Sequence, residues 1–136
     1  MTLIVCVDDR LGMLFNHRRQ SKDQALRADM LELTKNRKLW MNGYSAAQFE
    51  ENAGNICVYE AFLDKAAPKD FCFVENADIA QYAHLASSVI LYRWNRVYPA
   101  DLCFPVELFE DRWHLESRVD FPGTSHETIT REVYVL

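Results

Sequence analysis

No apolar run in this chain approaches the ~20 residues that a membrane-spanning helix needs, so a membrane partner is not expected. The N-terminus lacks a basic stretch followed by a long apolar one, which gives no sign of a secretory leader and makes a cytoplasmic location the expectation. Of the four cysteines, Cys6, Cys57, Cys72 and Cys103, no two are close in sequence, which excludes a Cys-x-x-Cys metal or redox motif. His17, His84, His114 and His126 are scattered without ligand spacing, and no zinc or other metal site is expected. The chain has no repeat, no low-complexity segment and no linker, so its 136 residues are read as one domain spanning 1–136. A formal net charge of −5 weighs against general nucleic-acid binding, although residues 17–22 are locally basic.

What is present is enough for a core. A chain this long buries roughly two thirds of its unfolded surface, and its hydrophobic content of 49% is ordinary for a globular protein. Residues 2–7, TLIVCV, are continuously apolar, as a central strand buried on both faces requires. Leu3 to Val7 are therefore placed in the sheet interior. Asp8 to Gly12 form a turn, and Met13 to Phe15 are an apolar segment inside a loop. A helix is predicted over about 22–36, a strand at 39–41, a short helix over 45–52 and a strand at 56–59. Residues 60–69 fit either a helical turn or a loop. A strand at 71–74, a helix over 78–87 with Ile79, Tyr82 and Leu85 on one side, and a strand at 89–92 follow. Residues 113–121 alternate in part, and ITREVYV, 129–135, alternates strongly. This order predicts an α/β fold: a mixed central sheet with flanking helices and a C-terminal antiparallel hairpin. LIVCV, NICVY and DFCFV each carry a cysteine, read as free thiols packed as small hydrophobes.

The stretch from Phe15 to Gly43 holds the best site signal. His17, Arg18, Arg19 and Lys22 form a basic loop, and Ser21-x-x-Gln24 is a capping-box signature for the helix that follows. Leu26, Met30 and Leu33 recur at helical spacing, and Asp23 shares their stripe. Partial burial there would raise the Asp23 pKa and make it a proton donor; the alternative is an acid that complements the helix dipole. Arg18 and Arg19 are expected at the mouth of the cleft that Asp23 enters, as an anion site beside the helix start. Otherwise they form a solvated loop that pairs with Asp8 or Asp9. Ser45-x-x-Gln48 is a second capping box, which makes Ser45 a helix cap. Arg93 is either a further anion-binding residue or a surface one.

These pieces, in this order, resemble the dihydrofolate reductase family. MTLIVCVDDRLGM is similar to its first strand and mobile loop, Phe15-Asn16 to its aromatic-Asn pair, and KLWMNGYSAAQF to its strand, Met-Gly turn and capped helix. Cys103-Phe104-Pro105, Trp113 and ITREVYVL follow its closing segments. The resemblance implies that Asp23 holds a pterin-like ring. It implies that Asn16, Met41, Tyr92 and Arg93 lie around the substrate, and that Ser45 reaches a cofactor phosphate. The family follows one central strand with consecutive glycines that admit the cofactor pyrophosphate. Glu75-Asn76-Ala77 stand there in this chain, bringing side chains and a negative charge. The 49–71 segment is short for an adenosine site, and residues 50–55 lack the arginine that anchors the folate carboxylate. No cofactor is therefore expected. The opening is also similar to short bacterial proteins, some called ribonuclease Z, but that nuclease's His/Asp metal cluster is missing. The leading expectation is a diverged relative that binds a small, anionic ligand without NADPH chemistry. The alternatives are an NADPH-dependent reductase of a pterin-like ring and a non-catalytic interaction protein.

Overall fold

The computed structural model describes residues 1–136. Its strands are β1 (Thr2–Val7), β2 (Gly12–Phe15), β3 (Arg18–Arg19), β4 (Leu39–Met41), β5 (Ile56–Val58), β6 (Phe71–Phe73), β7 (Ser88–Arg93), β8 (Leu102–Cys103), β9 (His114–Phe121) and β10 (Ile129–Val135). Its α-helices are α1 (Gln24–Thr34) and α2 (Gly43–Ala46).

β1 lies inside a seven-stranded sheet of order β5-β4-β6-β1-β7-β10-β9, parallel to β6 on one side and to β7 on the other. Leu3, Val5 and Val7 face one apolar core, shared with Phe104, Phe109 and Tyr134. Ile4 faces a second core beside Leu26 and Met30 of α1. A strand covered on both faces has no polar side, which explains the unbroken TLIVCV. β4 runs parallel to β5 and β6, while β10 is antiparallel to β7 and β9, which closes the sheet as the expected C-terminal hairpin. No helix is long and apolar enough to cross a membrane.

A second sheet, β3-β2-β8, was not anticipated. The apolar segment read as loop is β2, and the basic loop folds back as β3. Asn16 and His17 join them with φ of 51° and 63°, the pair of left-handed residues that a two-residue type I′ hairpin needs. Without a glycine in the turn, the usual hairpin signal is missing.

Both capping boxes are replaced by the neighbouring cap. Asp23, not Ser21, caps α1: it has extended backbone, and its Oδ1 accepts from the Leu26 N–H at 3.0 Å. Counted from there, Leu26, Met30 and Thr34 point inward, and Leu33 is exposed. Asn42, not Ser45, caps α2, which ends at Ala46 rather than near residue 52. The predicted helix over 78–87 is a 3-10 turn, Ala80–Leu85, with Ala83 buried and Leu85 exposed. All four cysteines are free; Cys72 is buried, Cys6 and Cys57 are half-buried and Cys103 is exposed.

Candidate functional site at the carboxyl ends of the parallel strands

In open parallel sheets, ligands bind beyond the carboxyl ends of the strands. Here those ends deliver Asn42 after β4, Glu75 after β6, Asp8 after β1 and Trp94 after β7.

Glu75 is the centre of a closed polar network. Its buried carboxylate accepts from the Arg19 guanidinium at 2.9 and 3.1 Å, from the Ser45 hydroxyl at 2.8 Å and from the Gln48 amide at 3.1 Å. Arg19 also donates to the Tyr44 carbonyl at 3.0 Å and lies 4.2 Å over the Tyr44 ring. Glu75 raises the Arg19 pKa against the lowering effect of burial. The pair is bidentate and partly dehydrated, so neither charge is free. Asn76 accepts from the Asn42 amide at 2.8 Å, and Ala77 turns away to line two small cavities near Ile79 and Phe62. At the start of α2, Glu60 accepts from the Gly43 N–H at 2.9 Å. Two carboxylates of the chain thus stand where the family resemblance expects a pyrophosphate.

Asp23 carries a second network. Its Oδ2 accepts from the Thr124 N–H at 2.8 Å, the Ser125 N–H at 2.7 Å and the Ser125 hydroxyl at 2.9 Å. Burial pushes the carboxyl up, but the Ser125 and Leu26 N–H groups and the Ser125 hydroxyl outweigh it and hold the pKa down to about 2. This is opposite to the rise expected from burial alone, and such a carboxylate has no proton to give at neutral pH. Asp23 points toward residues 124–125 rather than along the Met30 stripe. Gly123 makes the approach possible, since a Cβ there would lie 2.6 Å from the His126 carbonyl oxygen and 2.7 Å from the Asp23 Oδ2.

His126 extends this network in a way its spacing did not reveal. Its Nδ1 meets the Ser125 hydroxyl at 2.9 Å, its Nε2 meets the Tyr98 hydroxyl at 2.7 Å, and its ring stacks on Trp94 at 4.6 Å. Burial lowers its pKa and Arg96 adds to that, against the pull of Asp23. The imidazole is held neutral as a bridge between hydroxyls.

Met41 and Tyr92 are fully buried in the core that contains Ile4, Leu26 and Met30. The Tyr92 hydroxyl donates to Asp29 at 2.6 Å, and Asp29 is held by Arg131 at 2.7 Å. Burial, then Asp29, raises the Tyr92 pKa, so the phenol stays neutral. The Met41 and Tyr92 side chains, which the resemblance places around a substrate, are packed inside this core. Arg93 is paired with the buried Glu132, which Arg118 also holds at 2.6 Å. Asp8 spends its carboxylate on the N–H groups of Arg10, Gly12 and Tyr98 and does not reach the arginines of β3.

One opening remains among the expected residues. A cavity of about 290 Å³ is lined by Phe15, Asn16, Arg18, Arg19, Gln20, Tyr98 and Pro99. Arg18 is exposed there and makes no ion pair. The Gln20 Oε1 is buried without a hydrogen-bond partner. Asn16 donates its backbone N–H to Asp101 at 3.0 Å, which fixes the rim. The structure therefore gathers Asn16, Arg18 and Arg19 at one cavity and leaves Asp23, Met41, Tyr92 and Arg93 outside its lining. Gln20 and Tyr98 join it. Residue 20 adjoins the basic stretch, whereas Tyr98 is brought in from the loop after β7, which no local pattern signals.

The arrangement is that of the dihydrofolate reductase fold. Dihydrofolate reductase from Enterococcus faecalis, solved in complex with NADP(H) and RAB-propyl, superposes with a TM-score of 0.68 at 9% identity, over 98% of this chain and 94% of that one. No protein-family model matches the sequence. No curated protein matches it either.

Proposed function

We propose that this chain is a diverged dihydrofolate-reductase-like protein that binds a small anionic ligand in the cavity between β3 and the Tyr98 loop, without NADPH chemistry. The observation that carries the reading is the exposed Arg18 guanidinium, free of any ion pair, at a cavity of about 290 Å³. Such a site offers a cation to a carboxylate or phosphate. Arg19 contributes position rather than charge, because Glu75 neutralises it. The loss of dinucleotide chemistry is supported by Glu75 and Glu60, which would repel phosphates and already hold the donors that phosphates would use.

Two titrations test this. Calorimetry with NADPH is expected to give a dissociation constant weaker than about 100 μM, which is less than roughly 5.5 kcal/mol of binding. Thermal unfolding with inorganic phosphate is expected to show stabilisation that Arg18→Ala removes, because only binding to the folded state raises the midpoint. Low-micromolar NADPH binding would overturn the reading in favour of an NADPH-dependent reductase of a pterin-like ring, which the likeness of fold alone favours. Equal stabilisation of the parent and Arg18→Ala would remove the anion site.

A further inference from the structure

The seven-stranded sheet ends at β9, whose only strand neighbour is β10. From Ser117 to Phe121 the pairing with β10 is regular, and the one irregularity lies beyond it, between Val133 and Tyr134. These five residues form a regularly paired edge with one row of backbone groups unpaired. Side chains alternate along it. Ser117, Val119 and Phe121 share a face with Val133, Arg131 and Ile129; Arg118 and Asp120 share the other with Glu132 and Thr130. Val119 is 41% exposed, and the Arg118 side chain 58%.

Free edges are usually blunted by proline, lysine, bulges or inward charges. This stretch has no proline or lysine, and its two charges are of opposite sign, two positions apart. That pattern is self-complementary about Val119. When two such strands run antiparallel around a two-fold axis at this residue, Val119 meets the partner's Val119. Arg118, whose Nε and Nη2 hold Glu132, then faces the partner's Asp120 with its Nη1 free, and Asp120, whose Oδ1 accepts from Thr130, faces the partner's Arg118 with its Oδ2 free. Both ion pairs lie on one face and the valines on the other, as cross-strand pairs do. A one-residue shift of the axis loses this. Centring on Arg118 sets the two guanidinium groups opposite each other, and centring on Asp120 does the same for two carboxylates. Like charges directly opposite destabilise a pair, so the sequence selects one register.

We propose that this chain forms a two-fold homodimer by antiparallel pairing of β9 with β9 of a second copy, which joins the two seven-stranded sheets into one. The interface is isologous, so it closes on itself and leaves no further edge at that end.

Sedimentation equilibrium of the full chain, from about 5 to 200 μM, reads this directly. The parent is expected to dimerise. Val119→Lys, which places two ammonium groups on the axis, is expected to weaken association at least tenfold. Asp120→Lys, which turns both ion pairs into repulsions, is expected to do the same. Far-UV circular dichroism and urea unfolding confirm that each variant is folded, and either one suffices if the other is not. A parent that is monomeric at 200 μM overturns the proposal. So does a dimer that both folded variants leave unchanged.

Discussion

Replacing Asp23 distinguishes a structural carboxylate from a ligand-binding one. Its two oxygens accept from four donors: the N–H groups of Leu26, Thr124 and Ser125 and the Ser125 hydroxyl. A pKa lowered from 3.8 to about 2 is close to two units, or about 2.5 kcal/mol favouring the ionised form in the folded chain. Removal of the side chain also takes away the α1 cap, worth about 1 kcal/mol, and leaves buried donors unsatisfied at about 1–3 kcal/mol each, partly relieved by water. Asp23→Ala is expected to cost about 3–5 kcal/mol in urea unfolding at pH 7. Asp23→Asn, which keeps the cap oxygen, is expected to cost about 2–3 kcal/mol. The pH dependence has a definite sign. The folded pKa is depressed, so the contribution is complete above about pH 4 and disappears as pH falls toward 2. The difference between parent and Asp23→Asn must therefore shrink in acid, with about half of the ionic part gone by pH 3. A cost below about 1 kcal/mol for Asp23→Ala, or a parent–Asn difference unchanged between pH 6 and pH 3, would refute the reasoning and return Asp23 to the ligand.

Two further substitutions probe the turns. Gly123→Ala should cost about 2 kcal/mol or more, read as a lower thermal midpoint, because its Cβ would meet the His126 carbonyl oxygen at 2.6 Å and that backbone has no rotamer to escape into. His17→Gly should stabilise by about 0.5–1 kcal/mol in urea unfolding, since φ of 63° strains histidine and not glycine, and histidine makes no hydrogen bond there.

The legible parts of this fold were those set by burial of whole strands. TLIVCV announces a doubly covered strand and the alternating ITREVYV an antiparallel one, although β10 is in fact covered on both faces, with Ile129 in one core and Tyr134 in the other. The capping boxes failed for a local reason: Asp23 and Asn42 are as good caps as Ser21 and Ser45, and pattern alone does not rank them. The β2–β3 hairpin escaped notice because Asn16-His17 lacks glycine. The site was harder still. Arg19 is legible as a cation, but its neutralising partner Glu75 is 56 residues away, and from the sequence Glu75 is an obstacle rather than half of a pair. His126 reaches Tyr98 across 28 residues, with no periodicity to mark it. Contacts of that range are decided by topology, which a local reading reaches only after the strands are placed.

The tie between Asp23 and Ser125 also sets an order in time. The cap oxygen for α1 is made early, but the groups that fix its other oxygen lie 102 residues further on. β1, at the middle of the sheet, has both neighbours downstream, at Phe71–Phe73 and Ser88–Arg93. β1 therefore has no sheet partner within the first 70 residues of the chain. The helix start stays loose until the 124–125 turn arrives. Closing such long loops before any contact rewards them slows folding.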